Sequence, residues 1–126
     1  MRLLLDSAFV IDHMRGLPEA VARYRDLFEA GDEPLVNEIV VCEVRAGTKA
    51  ADLPMLHAFL EPVEFIQPGP DAALIAGAWR DLARARGHHL SLADALVAAA
   101  ADAVDASVLT RNVRHFELTP VRVETY

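Results

Sequence analysis

The sequence predicts an α/β fold: a single-domain, three-layer α/β/α sandwich over residues 1–126, with a parallel sheet of about five strands. Three observations predict it. Short apolar runs of strand length alternate with longer amphipathic segments, which is the order of a parallel sheet covered by helices on both faces. The length of 126 residues is that of one ordinary domain. Hydrophobic residues make up 53% of the chain, which is enough for one core.

Five short apolar segments have the length of strands that are buried on both faces. The first, Arg2–Leu5, ends at Asp6, and the fourth, Ser107–Leu109, ends just before Thr110. Apolar runs of this length between turn residues favour strands. The five predicted strands are residues 2–5, 34–36, 63–66, 107–109 and 121–123.

Six longer segments carry apolar residues at helical spacing. Asn37 and Ser91 each precede one of them, where a polar side chain can accept the first free N–H groups of a helix. Gly31 and Gly87 each follow one, in the position that favours a helix C-terminus. The six predicted helices are residues 7–14, 19–30, 38–47, 53–60, 71–86 and 92–104.

Charge and composition limit what the chain can bind. A net charge of −7 argues against holding nucleic acid by bulk electrostatics, unless cations or local basic patches permit contact. Cys42 is the only cysteine, which excludes an intrachain disulfide and a thiolate metal site. No stretch approaches the roughly 18 uninterrupted apolar residues of a membrane helix. The first strand also meets Asp6 too early for a signal peptide, so we expect a cytoplasmic protein.

The carboxyl ends of the strands are where parallel α/β sheets bind their ligands. This rule directs attention to the residues after Leu5, Val36 and Leu109. Asp6 lies directly after the first predicted strand, at this edge. Its carboxylate has two interpretations: it belongs to a site, or it is the N-cap of the helix over residues 7–14.

Glu43 lies within an otherwise apolar helical run, residues 39–44. A carboxylate on a mostly buried helix is costly unless it is paired or bound to a cation. Glu43 therefore indicates a site. The alternative is that it faces solvent beside Arg45 or Lys49.

Asp94 lies in an equally apolar helical segment. A site residue is one interpretation. In a second, Ser91 and Asp94 form a capping box, with Asp in place of the usual Glu or Gln. In a third, Asp94 shares a solvent face with Ala98, Ala101 and Asp105.

Taken together, Asp6, Glu43 and Asp94 indicate a metal site. Each is placed at a helix start or a strand end on the same side of the inferred sheet. Clustered carboxylates repel one another and need a neutralising centre, and carboxylate and water oxygens are the ligands that Mg²⁺ and Mn²⁺ prefer. Such a site could bridge a negative protein to a negative phosphodiester.

Four segments in order resemble the sequence motifs of PIN domains. They are residues 4–12 (LLDSAFVID), 43–47 (EVRAG, after Asn37), 92–101 (LADALVAAAA) and 109–116 (LTRNVRHF). Residues 121–123 fit the closing strand of that family. Each motif alone is weak, but four in order are fairly specific, and the size and motifs are most similar to VapC-type toxins.

The resemblance implies a fold, an activity and partners. The fold is a five-stranded parallel α/β/α sandwich, here a PIN-like domain over residues 1–126. The activity is Mg²⁺- or Mn²⁺-dependent endonucleolytic cleavage of RNA. Many members are homodimers held inactive by a small antitoxin whose C-terminal segment covers the site. The family's metal-binding acids fall on Asp6, Glu43 and Asp94.

The chain departs from the family pattern in its fourth motif. A fourth acid is usual near Asn112, and another acid often precedes the motif's phenylalanine, where this chain has His115. Asn112 could still hydrogen-bond water at the site, with Thr110 orienting it, or it could only brace the loop after Leu109. We interpret His115 as an exposed surface histidine. Asp12 could replace the missing charge, but we interpret it as a helix-surface acid.

Three other classes share some of these features. A phosphoacceptor receiver domain requires an acidic pair after the first strand, and Asp6 has no acidic neighbour. A haloacid-dehalogenase-type phosphatase requires an aspartate where this chain has Ala8. A PIN-like domain that binds RNA or a partner without cutting is the alternative that the missing fourth acid favours.

Overall fold

A parallel sheet of five strands forms the centre of the protein in this computed structural model, which describes residues 1–126. The strand order is β3-β2-β1-β4-β5, and every neighbouring pair is parallel. The predicted α/β class is therefore confirmed. The strands are β1 (Arg2–Leu5), β2 (Glu33–Val36), β3 (Glu64–Phe65), β4 (Ser107–Leu109) and β5 (Val123–Glu124).

The three central strands are covered on both faces. Successive strand residues point to opposite sides of a sheet, yet Leu3, Leu4 and Leu5 of β1 are all fully buried. All three residues of β4 are buried as well. Helices must therefore pack on both sides of β1 and β4, which gives the predicted three layers.

Six α-helices surround the sheet, as the sequence predicts, and their ends differ from the prediction by only a residue or two. Asp6, Asn37 and Ser91 each cap a helix, accepting a backbone N–H with the side chain. The helices are α1 (Ser7–Met14), α2 (Pro18–Glu29), α3 (Glu38–Ala46), α4 (Leu53–Leu60), α5 (Pro70–Ala85) and α6 (Leu92–Ala103). Two 3₁₀ turns, Ala50–Asp52 and Val113–Phe116, are not predicted from the sequence.

The two edge strands differ from the prediction: β3 is shorter than predicted, and β5 is shifted along the chain. β3 pairs only with β2 and spans two of its four predicted residues, although Ile66 still donates its backbone N–H to the Val36 carbonyl at 2.9 Å. β5 begins at Val123 rather than Val121, because the register pairs Val123 with Val108 in the short strand β4. Each edge strand has a neighbour on one side only, and it pairs over fewer residues than its apolar run predicts.

The strand order creates a crevice at the carboxyl edge beside β1. From β1 the chain passes to β2 and β3 on one side, and it then returns to β4 on the other side. The connections that leave β1 and β4 therefore diverge, and such a switch point is where open α/β sheets bind ligands. The backbone N–H of Asp6 donates to the Leu109 carbonyl at 3.0 Å, so the two strand ends are joined where the crevice opens.

No helix in this structure has both the length and the apolar character needed to cross a bilayer.

Candidate active site

The four predicted site residues line one cleft at the carboxyl edge of the sheet. The cleft has a volume of about 410 Å³, and Asp6, Glu43, Asp94 and Asn112 all contribute to its walls. They come from the end of β1, from α3, from the first turn of α6 and from the loop after β4. Their roles in metal binding and catalysis stay a prediction. The other lining residues are Ser7, Ser91, Ala93 and His115.

Asp6 is the most firmly held acid in the cleft. It is only 5% exposed. Its Oδ2 accepts a hydrogen bond from the Thr110 hydroxyl at 2.8 Å, and its Oδ1 accepts one from the Ser7 backbone N–H at 2.9 Å. The second contact makes Asp6 the N-cap of α1. The two interpretations of Asp6 are thus compatible: it caps the helix and faces the cleft.

Thr110 connects Asp6, at the end of β1, with the loop that carries Asn112. Its buried hydroxyl donates to Asp6 and accepts the backbone N–H of Asn112 at 2.9 Å. One side chain therefore fixes the Asp6 carboxylate and the direction of the loop that carries Asn112.

The electrostatics of the cleft disfavour ionised Asp6. Burial raises the pKa of Asp6 above its ordinary value, and the negative charge of Asp94 raises it further. The hydrogen bonds from Thr110 and Ser7 lower the pKa but do not offset the burial. A cation in the cleft would reverse this balance and favour the ionised carboxylate.

Glu43 feels the same repulsion. Its pKa is raised first by desolvation, and then by the charges of Asp6 and Asp94. Three carboxylates therefore interact across one cleft.

The helix that carries Glu43 is less buried than the sequence predicts. Helix α3 is not mostly buried: only Val40 and Val44 are buried, and Glu43 itself is exposed. The alternative, that Glu43 faces solvent beside Arg45 or Lys49, is right in part: Glu43 is exposed, but it forms no salt bridge with either residue. Glu43 also lines the cleft, together with Asp6 and Asp94.

The solvent-face interpretation of Asp94 is wrong, because Ala98 and Ala101 are fully buried. The capping interpretation holds in part: the Ser91 hydroxyl oxygen accepts the Asp94 backbone N–H at 3.0 Å. The Asp94 carboxylate is a quarter exposed, and its Oδ2 lies 3.9 Å from Nδ1 of His115. Asp94 is thus directed to the cleft, with a histidine beside it.

Two residues of the fourth motif line the cleft without acting as acids. The side-chain amide of Asn112 makes no hydrogen bond within the protein, so bracing of the loop comes from its backbone N–H. His115 is exposed, as expected, but it also lines the cleft, which its interpretation as an ordinary surface histidine missed.

The interpretation of Asp12 as a helix-surface acid is wrong. Asp12 is 5% exposed and lies outside the lining of the cleft. Its Oδ2 accepts the Tyr126 hydroxyl at 2.7 Å and forms an ion pair with Arg111, whose Nε lies 2.9 Å away. Local sequence gives no sign of this, because both partners come from the last part of the chain. Only the position of Arg111 inside the fourth motif could have drawn attention to it.

The donor chemistry of the cleft fits Mg²⁺ or Mn²⁺, although the side chains form no ready-made cage. No three acidic, histidine or cysteine side chains are arranged to surround one ion. Mg²⁺ does not require such a cage, because it usually keeps several waters and takes one or two carboxylates from the protein together with substrate phosphate. Asp6 offers a fixed carboxylate, and the more exposed Asp94 and Glu43 offer adjustable ones.

Comparison with known proteins gives matches along nearly the whole chain. The model of the PIN domain family matches residues 3–120. Ribonuclease VapC19 of Mycobacterium tuberculosis (strain H37Rv) is 38% identical over 119 residues, which cover 93% of this chain and 94% of that protein.

Solved structures are similar in fold. The structure of VapBC2 from Rickettsia felis bound to a DNA fragment from its promoter matches with a TM-score of 0.87 and 21% identity, covering 100% of this chain and 99% of that chain. A toxin–antitoxin complex from Klebsiella pneumoniae matches with a TM-score of 0.77 and 26% identity, covering 98% and 96%.

Proposed function

The chain belongs to the PIN-domain family, and we propose that it is an endoribonuclease that acts as the toxin of a type II toxin–antitoxin pair. The observation that carries this proposal is the cleft in which Asp6, Glu43 and Asp94 face one another at the carboxyl edge of the sheet. The name of the VapC19 relative, a ribonuclease, supports RNA as the substrate.

We propose that Asp6, Asp94 and Glu43 hold Mg²⁺ or Mn²⁺ in this cleft. A divalent cation bound there supplies a Lewis acid that lowers the pKa of water and stabilises charge on phosphoryl oxygens. Asp6 provides the fixed oxygen, since Thr110 and Ser7 hold its carboxylate in one orientation. The unpaired amide of Asn112 can orient water or a phosphate oxygen at the opposite wall.

The proposed partners follow from the family and from charge. The solved relatives include complexes with antitoxins, so we propose a cognate antitoxin that covers the cleft. A partner segment that brings an arginine or lysine toward Asp6 and Asp94 would neutralise the same charges as a cation. We propose in addition that the chain forms a homodimer, as many members of the family do.

A cleavage assay tests the proposed function. The purified chain is incubated with pooled RNA in EDTA, and then with added Mg²⁺ or Mn²⁺. Cleavage in the metal arms alone is the expected result, with growth arrest when the chain is expressed without an antitoxin. Binding of RNA without cleavage under every metal condition would instead support a non-cleaving PIN-like domain.

Asn112→Asp tests whether this residue belongs to the metal site. The variant is expected to lower the Mn²⁺ concentration for half-maximal cleavage by about tenfold. Two unit charges 4 Å apart interact by about 4 kcal/mol at an effective dielectric of 20. If about a third of this energy reaches the bound cation, its dissociation constant falls by about tenfold. The backbone N–H that bonds Thr110 is kept, so the loop should not move.

Val113→Asp is the matched control for this measurement. It adds the same charge one residue away, at an exposed position outside the cleft. If Asn112→Asp shifts the titration no more than Val113→Asp does, Asn112 only braces its loop and does not belong to the metal site.

A further inference from the structure

A buried carboxylate outside the cleft holds an arginine beside it. Asp12 on α1 is 5% exposed. Its Oδ2 accepts the Tyr126 hydroxyl at 2.7 Å and forms an ion pair with Arg111, whose Nε lies 2.9 Å away. A buried carboxylate is costly unless it is hydrogen-bonded. The hydrogen bond from Tyr126 and the ion pair with Arg111 together hold this carboxylate in place, which an exposed ion pair alone would not do.

Arg111 lies in the loop that carries one lining residue of the proposed active site, although its own side chain does not line the cleft. It follows Thr110, which bonds Asp6, and it precedes Asn112, which lines the cleft. Its side chain is 53% exposed. The backbone on either side is thus held to the catalytic edge while the guanidinium reaches toward solvent.

The outer part of the Arg111 guanidinium is free. Its contact with Asp12 runs through Nε at 2.9 Å, and neither terminal nitrogen donates a hydrogen bond within the chain. Arg2, by contrast, engages Nε and both terminal nitrogens with protein oxygens. An arginine that served only to neutralise Asp12 would favour the stronger two-nitrogen contact. The two terminal nitrogens of the Arg111 guanidinium can therefore donate to another anion.

Tyr126 also holds the Asp12 carboxylate. Its ring packs edge-on against Phe9 at 5.0 Å, and its hydroxyl donates to Asp12. Burial raises the pKa of Tyr126 above its ordinary value, so the hydroxyl remains a donor at neutral pH. Asp12 is therefore set in place before any ligand arrives.

We infer that Arg111 binds the phosphate of a nucleotide next to the scissile one, and that Asp12 and Tyr126 are the positioning residues that hold it there. The inference rests on the proposed ribonuclease function and names a contact of that same substrate. A chain with a net charge of −7 needs local positive groups to hold RNA beside an acidic cleft. The planar guanidinium suits a phosphate better than an ammonium does.

The test measures binding of a fluorescein-labelled single-stranded RNA of mixed sequence by anisotropy, with Ca²⁺ replacing Mg²⁺ to prevent cleavage. Arg111→Gln is expected to raise Kd by about five- to tenfold and to reduce the slope of log Kd against log salt by about 0.7, the value for one phosphate contact on a single strand. Arg111→Lys should keep the slope. Tyr126→Phe should raise KM in the Mg²⁺ cleavage assay while kcat changes by less than about twofold.

Two further variants keep the result decisive. Arg114→Gln removes the same charge from an exposed arginine that makes no contact to a buried acid, and it should change the slope less than Arg111→Gln does. Asp12→Asn with Arg111→Gln leaves no unpaired buried charge, so it should fold and still show the reduced slope. A lower Tm with an unchanged slope would show that Arg111 is only the counter-ion of Asp12.

The same experiment separates the two proposals. If the natural chain cleaves RNA and Arg111→Gln binds it as tightly, the phosphate contact is wrong and the proposed function stands. If the natural chain neither binds nor cleaves any RNA, both are wrong.

Discussion

Asp6→Asn is expected to lower the rate of RNA cleavage by at least about 10³-fold and, at the same time, to raise the Tm of the metal-free protein. The loss of activity follows because the fixed oxygen of the proposed metal site loses its charge. The gain in stability follows because the pKa of Asp6 is raised by burial and by Asp94. Asparagine can keep both the helix cap and a hydrogen bond with Thr110.

The pH dependence has a definite sign. Because the folded state holds the Asp6 proton more tightly than the unfolded state, this group contributes stability below its ordinary pKa of 3.8. That contribution is lost as the pH rises through the raised folded value. The Tm advantage of Asp6→Asn should therefore be largest at neutral pH and should vanish in acid below pH 3.8. Thermal unfolding in EDTA across this range measures it.

Asp102→Asn is the matched control, because it makes the same change in charge at an exposed position on α6 outside the cleft. It should leave cleavage unchanged and show no such pH-dependent gain. If Asp6→Asn is inactive only because it is unfolded at the assay temperature, the assignment of Asp6 to the metal site loses its support.

Thr110→Val is expected to reduce cleavage by about 10- to 100-fold, the usual range for a residue that orients a metal ligand. The substitution conserves shape but removes the hydroxyl that donates to Asp6 and accepts from Asn112. It should also raise the metal concentration for half-maximal cleavage, because the Asp6 carboxylate loses one of its two hydrogen bonds. Leaving buried groups unpaired costs about 1–3 kcal/mol, so unfolding in urea should show a loss of this size.

Thr110→Ser separates orientation from packing. It keeps the hydroxyl and removes only a methyl group, so cleavage should stay within a few-fold of the natural chain. A loss of activity in the serine variant with none in the valine variant would mean that Thr110 acts through packing alone.

Local patterns were enough to predict most of the fold. The bounds of β1, α1 and β4 agree with the prediction. Both signals that predict them, a short apolar run and a polar cap residue, depend only on residues that are adjacent in the sequence. The edge strands were less predictable, since pairing of β3 and β5 depends on the one strand beside each.

The candidate site was predictable to the extent that topology decides it. Strand order brings chain segments that follow parallel strands to one edge, so Asp6 and Asn112 could be placed together from the sequence. Exposure was harder: Glu43 was expected on a buried helix and is exposed, whereas Asp12 was expected at the surface and is buried. The Asp12 cluster depends on residues far along the chain, which no local pattern encodes.

Because β1 lies at the centre of the sheet, the cleft can form only late in the synthesis of this domain. Strand β1 lies next to β4 although it is made long before it, and the hydrogen bond between Asp6 and Thr110 joins residues 104 positions apart. Contacts of such long range form late in folding. A nascent chain that has not yet emerged as far as β4 therefore lacks one wall of the cleft and the residue that holds Asp6. Any capacity to cut RNA therefore arises only after the segment that carries Thr110 and Asn112 has been made and has packed against β1.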